Sequence, residues 1–169
     1  MYEDFAEEHR MVIDLVEKFV ENELMPFEKV IMEREAGGEK ASLRPEEEQP
    51  LLAKCKELGL WALDAPEEMG GSELPPTVML AINEKLYSTV TPFTFPPDST
   101  NLLMLDKVAT PEQKAKYMEP YAQGEMKSCI AISEPGAGGD PAHMKTRAIQ
   151  DGSNWVINGR KIWVSNVPA

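Results

Sequence analysis

The feature that most constrains this chain is a change of hydrophobic period near Gly124-Glu125-Met126. Upstream, apolar residues recur every three or four positions, which is helical spacing with one buried stripe. Downstream they fall into short runs bounded by turn residues, which is strand spacing. A chain that changes period once cannot be one bundle or one sheet. The expectation is an α+β protein, with an all-α domain over residues 1–124. Residues 125–169 then form the first strands of an antiparallel β barrel or sandwich.

Within the first part, Phe5, Val12, Leu15, Val16, Phe19, Val20 and Leu24 line one helical stripe. Pro26 interrupts or ends that helix, and a second helical piece runs through Phe27, Val30 and Ile31. Gly37 and Gly38 mark a loop. Pro45 suits the first turn of the next helix, whose apolar face is Leu51, Leu52, Cys55 and Leu58, and Gly59 stands where a left-handed cap belongs. A third helix follows Pro75-Pro76, with Met79, Leu80, Ile82 and Leu86 inward. Residues 90–97 carry too many prolines for regular helix. Asp98-Ser99-Thr100 cap a restart in which Leu102, Leu103, Met104 and Leu105 are apolar on several sides, so that helix should be buried. Thr110-Pro111-Glu112-Gln113 reads as a capping box, and Pro120 with Gly124 stop the helix that it opens.

In the second part, Lys127 to Ser133 reads as a strand entering a loop of small and turn-forming residues, Gly136 to Gly139, that ends on Asp140. Such a loop can bring its backbone close to a ligand and present N–H groups to it. Residues 145–149 and 154–158 flank Asp151-Gly152, a hairpin signal. Asn158-Gly159 is a second, joining 154–158 to a strand over 160–165.

Composition narrows the function classes. The formal net charge is -12, and residues 1–50 hold fifteen Asp and Glu against six Lys and Arg. That surface repels phosphate backbones, which argues against nucleic-acid binding and fits a solvated helical face. No apolar run is long enough to span a bilayer, and the acidic N-terminus does not read as a targeting peptide. Two cysteines, Cys55 and Cys129, give no disulfide framework; both read as small buried hydrophobes in a reducing, cytoplasmic setting. His9 and His143 read as surface residues, and no spacing suggests a metal site.

Three strings carry a family resemblance. Ile130-Ala131-Ile132-Ser133 leads into Glu134-Pro135-Gly136-Ala137-Gly138-Gly139-Asp140, and Asn158-Gly159-Arg160-Lys161-Ile162-Trp163-Val164-Ser165-Asn166 follows at the right distance. Upstream, Pro66-Glu67-Glu68-Met69-Gly70-Gly71 and Thr110 to Lys114 add independent matches. Together these resemble the N-terminal part of the acyl-CoA dehydrogenases, FAD enzymes that desaturate acyl-CoA thioesters between the α and β carbons.

The resemblance implies that Ile130, Ile132 and Ser133 lie along the flavin, that Trp163 packs near its ring, and that the Ser165 hydroxyl bonds near N5. It assigns Gly138 and Gly139 to the cofactor, and Gly139 and Leu103 to the acyl-CoA. Two departures stand out: Gly139 where the family usually has Ser, and Ile130 where it often has an aromatic residue. Glu134 and Asp140 are motif carboxylates but not the base, which in the family comes from a C-terminal helical domain. The resemblance further implies an electron-transfer flavoprotein or similar acceptor and a homodimer or homotetramer. These 169 residues alone are expected to be inactive. Two other readings stand beside this one: an acyl-CoA oxidase or flavin monooxygenase of the same superfamily, or a non-catalytic binding subunit with the same fold.

Overall fold

The computed structural model describes residues 4–97 and 99–164, the side chains of Ser99 and Thr100 excepted. Asp98 and Ser165 lie outside the described residues. Two compact units result, residues 1–126 and 127–169.

The first unit is helical. α1 (Glu7–Phe19) opens on Glu7 and Glu8, whose charges suit the positive end of the helix. It runs through a wide π-type turn, Val20–Leu24, and a 3-10 turn, Met25–Phe27, into α2 (Glu28–Ala36). Pro26 therefore deforms the helix without ending it. A proline cannot donate to the carbonyl four residues back, and the wide turn just upstream shifts the bonding register around that gap. Leu24 would lose its partner at this break, but the buried Thr91 hydroxyl donates to the Leu24 carbonyl at 2.9 Å.

α3 (Pro45–Leu58) starts on its proline and ends at Gly59, whose φ of 71° is the left-handed cap expected there. α4 (Pro76–Leu86) packs along α1. The core between them takes Ile13, Val16 and Phe19 from α1 and Val20 from the wide turn, with Val78, Ala81, Ile82 and Leu86 from α4. Leu80, expected inward, is 71% exposed, and Met79 is only partly buried. The stripe that packs uses the small Ala81 in place of Leu80, because close approach of α1 favours the smaller side chain. Phe93 and Phe95 come from the extended 91–95 segment and meet Phe19 at ring centroid distances of 5.7 and 5.6 Å. They lie edge-on to each other at 88°.

α5 (Ser99–Val108) buries Leu102, while Leu103 and Leu105 are half-buried. Met104 is exposed, so this helix is covered on fewer sides than its apolar run implied. α6 (Pro111–Gln113) carries the expected capping box: the Thr110 amide donates to Gln113 Oε1 at 2.9 Å, and the Gln113 amide donates to Thr110 Oγ1 at 3.3 Å. A second π-type turn, Lys114–Met118, leads into α7 (Glu119–Ala122), so Pro120 sits in a first turn and stops nothing. Trp61 packs against α7, donating from its indole to the Ala122 carbonyl at 2.7 Å with Lys56 Nζ 4.4 Å above its ring.

One ion pair was not legible beforehand. Arg34, 8% exposed, reaches Glu47 in the first turn of α3 through two contacts of 2.8 and 2.6 Å. The Arg34 guanidinium and then the Arg44 amide hold the Glu47 carboxyl down from 4.5 to about 2. A carboxyl depressed in the fold favours folding fully above its unfolded value and loses that contribution as pH falls toward the folded one. Acid unfolding of the helical unit, followed by far-UV circular dichroism, is therefore expected to steepen between pH 4.5 and about 2. Glu47→Gln should flatten that limb; an unchanged profile would remove the pair from the account.

Among its described residues the second unit holds one hairpin. β1 (Arg147–Asp151) pairs antiparallel with β2 (Asn154–Asn158), register Arg147 to Asn158 through Asp151 to Asn154. The two-residue turn is Gly152-Ser153, with Gly152 at φ 60°. That is the conformation such turns ask of a leading glycine. The strands expected over 127–133 and 160–165 do not form among the described residues. The Ile162 amide donates to the Ser133 carbonyl at 3.0 Å and so links the two runs, but strand geometry needs continuous pairing. Asn158-Gly159 is not a turn either: it closes β2. Cys129, expected to be buried, is exposed, whereas Cys55 is buried and its thiol is pushed up to about 12 by that burial.

Candidate functional site

The second unit is organised by a carboxylate. Glu134 is 7% exposed, and donors converge on it from two other stretches of chain. The Lys145 and Thr146 amides donate to Oε2 and Oε1 at 2.6 and 3.0 Å, and the Lys161 ammonium donates to Oε1 at 2.9 Å. Lys161 also donates to the Ile132 carbonyl at 2.9 Å and reaches Met144 Sδ at 3.3 Å. A carboxylate has about four acceptor directions, and three donors fill most of them.

The Thr146 hydroxyl beside it, then Lys161 and the Lys145 amide, hold the Glu134 carboxyl down to about 2 while burial pulls the other way. That hydroxyl is buried and completes no hydrogen bond of ordinary geometry. A group held this low stays ionised at neutral pH, and its oxygens fasten together the segments that donate to it.

The loop after it builds its own shape. Glu134 and Ala137 exchange backbone bonds of 3.0 and 3.2 Å, closing a turn with Pro135 at its second position. Asp140 caps the 3-10 turn Pro141–His143, accepting from the Ala142 amide at 3.0 Å and lying 2.7 Å from His143 Nδ1. Both motif carboxylates are thus occupied with the backbone. Between them, Gly136, Gly138 and Gly139 have no atom of the described residues, beyond their chain neighbours, within 4 Å of where a Cβ would stand. The space over this stretch is open, and a serine at 139 would meet no obstacle.

Gly159 differs. A Cβ there would lie 2.0 Å from Thr146 Oγ1 and 2.7 Å from Thr146 Cα. Only glycine allows β2 to end so close to the residue that feeds Glu134.

Of the residues singled out from sequence, Ile132, Ser133 and Trp163 come from two adjoining segments, joined by the Ile162–Ser133 bond and by Lys161. Ile130 and Ile132, two residues apart, are both exposed, Ser133 is half-buried, and Trp163 is 86% exposed. Trp163 also holds φ 56°, a conformation a bulky residue avoids unless its surroundings dictate it. Gly138 and Gly139 lie in the open loop. Leu103 belongs to the helical unit. Sequence reading missed Thr146 and Lys161, although an alternating run that places a lysine opposite a Glu-Pro motif offered a signal.

A flat heterocycle needs apolar surface on its face and hydrogen-bonding groups at its edge. Large exposed apolar side chains beside a half-buried hydroxyl and an uncrowded glycine loop fit that need. Among the described residues there is no group of three or more His, Cys, Asp or Glu able to hold a metal, and no helix is long and apolar enough to cross a membrane.

The chain is similar to several known proteins. (R)-benzylsuccinyl-CoA dehydrogenase of Thauera aromatica is 36% identical over 168 residues, covering 95% of this chain and 41% of its own. The human mitochondrial short-chain specific acyl-CoA dehydrogenase is 31% identical over 166 residues, covering 96% of this chain and 38% of its own. Among solved structures, an acyl-CoA dehydrogenase of Bacillus anthracis complexed with FAD superposes with a TM-score of 0.70 at 31% identity, covering 97% of this chain and 28% of that one. The chain therefore spans less than half the length of these relatives. Residues 6–125 match the acyl-CoA dehydrogenase N-terminal domain and residues 129–169 the middle domain, so helical unit and Glu134-centred unit both have their counterparts in one family. This chain belongs to the acyl-CoA dehydrogenases.

Proposed function

We propose that these residues are part of an FAD-dependent acyl-CoA dehydrogenase that removes hydrogen from the α and β carbons of a CoA thioester. The observation that carries this is the exposed apolar set Ile130, Ile132 and Trp163 on segments fixed by Glu134. The Bacillus anthracis relative, solved with FAD, supports the choice of cofactor. FAD supplies the acceptor for the β hydride while the α proton leaves to a base.

Ile130, Ile132 and Trp163 face the flavin and keep water from it, which matters because hydride transfer needs a dry, oriented site. The Ser133 hydroxyl can donate or accept at the ring's polar edge as its charge changes, and Ser165 does the same near N5. Gly138 and Gly139 offer backbone amides without side chains in the way, and Gly139 and Leu103 contact the acyl-CoA. None of these residues is assigned as the base, which in the family comes from a C-terminal helical domain. The α-helical domain covers 1–124 and the β domain starts at 125. The enzyme is a cytoplasmic homodimer or homotetramer that passes electrons to an electron-transfer flavoprotein, and its free cysteines suit a reducing compartment.

The full-length protein is expected to purify yellow, and its flavin band should bleach when an acyl-CoA is added without oxygen. A protein that stays colourless after refolding with FAD would overturn this reading. Residues 1–169 alone should reduce no acceptor dye with any acyl-CoA, since base and remaining cofactor contacts lie elsewhere; turnover by them would contradict that.

A further inference from the structure

The Glu134–Lys161 pair is largely shielded from water, the Glu134 side chain 5% and the Lys161 side chain 23% exposed, yet nothing assigned so far requires a charge there. A pair that only filled space would be served as well by two apolar side chains, because burying ions costs solvation that their attraction barely returns. Its bonds show what it does. Lys161 spans from its own segment to the Ile132 carbonyl and to Glu134, and through Glu134 to the Lys145 and Thr146 amides. Two residues on from Lys161 stands Trp163 in its left-handed conformation, and immediately before Glu134 come Ile132 and Ser133. Among the described residues these segments are also joined by the Ile162 amide, which donates to the Ser133 carbonyl.

We propose that Glu134 and Lys161 are positioning residues for the flavin, holding the Ile132–Ser133 segment and the Trp163 segment in register so that both meet the same ring. Neither touches the reacting atoms. The assignment rests on the flavin-binding reading above and adds two residues and a role to it. A charged link is suited to the task because it fixes direction as well as distance: the ammonium has three donor directions, and two of them are spent on oxygens of the one segment.

The test uses the full-length, FAD-loaded protein with Lys161→Met, Lys161→Arg and Glu134→Gln. Visible circular dichroism of the bound flavin, the FAD dissociation constant and the flavin midpoint potential are read beside the thermal midpoint. Lys161→Met and Glu134→Gln are expected to weaken FAD binding by about tenfold or more, the scale of coupling between groups in one network. Both should also change the flavin's circular dichroism and potential. Lys161→Arg, which keeps the charge and the reach, should restore most of each. Were Lys161→Met to lower only the thermal midpoint, with affinity, dichroism and potential as in the parent, the pair would be structural and the proposal wrong. If Lys161→Met does not fold, Glu134→Gln, which keeps the volume, decides in the same way. A colourless parent would end the flavin reading and this one together; a yellow parent with unaltered variants would end this one alone.

Discussion

Phe19→Ala will cost the helical unit about 3–5 kcal/mol, the largest single loss expected there. Phe19 is almost fully buried, and it is the ring on which Phe93 and Phe95 both rest. Removing it leaves a cavity between α1 and the 91–95 segment, because those two rings come from extended backbone tied down by the Thr91 hydroxyl and cannot follow the gap inward. Lost aromatic contact adds to lost burial. Urea denaturation monitored by far-UV circular dichroism measures the loss. A change below about 1 kcal/mol would mean that the 91–95 segment collapses onto α1 and that the triad is not the centre of the core.

Gly159→Ala is the second. The added methyl falls 2.6 Å from Thr146 Cβ and 2.7 Å from its Cα, so rotation of the hydroxyl cannot relieve it and one of the two backbones must move. Overpacking of this kind costs about 1–3 kcal/mol, and here the displaced residue is the one whose amide feeds Glu134. Amide exchange at Lys145 and Thr146 is expected to accelerate, and the full-length protein should retain less FAD. Thr146→Ala introduced alongside should not rescue it, since the obstructing carbons stay. Rescue would show that the hydroxyl alone set the fit.

How far these features can be seen in the letters differs between the two units. Helices declare themselves by local rules: Gly59 as a cap and Thr110 with Gln113 as a capping box depend on neighbours within a few residues, and both stand as read. Which apolar residue turns inward depends on how closely another helix approaches. That is why Ala81 is buried and Leu80 is not. In the β unit nearly every decisive contact is long-range. The pairing of Glu134 with Lys161 spans 27 positions, and no local period records it. Asn158-Gly159 shows the same limit. The dipeptide carries the letters of a turn, but its glycine answers to a threonine thirteen residues earlier, not to its own backbone. The candidate site was legible because its residues come as contiguous motifs; what holds them in place was not.

The two wide turns, Val20–Leu24 and Lys114–Met118, each end two residues before a proline. Each adds a residue to the winding, and one residue of an α-helix is worth about 100° of rotation. Shortening either loop of winding by a single position would spin everything beyond it, carrying Ile31 or Tyr121 out of the interior. Proline and surplus residue are therefore a matched set, and an insertion or deletion can be absorbed at those two places only if both partners change at once.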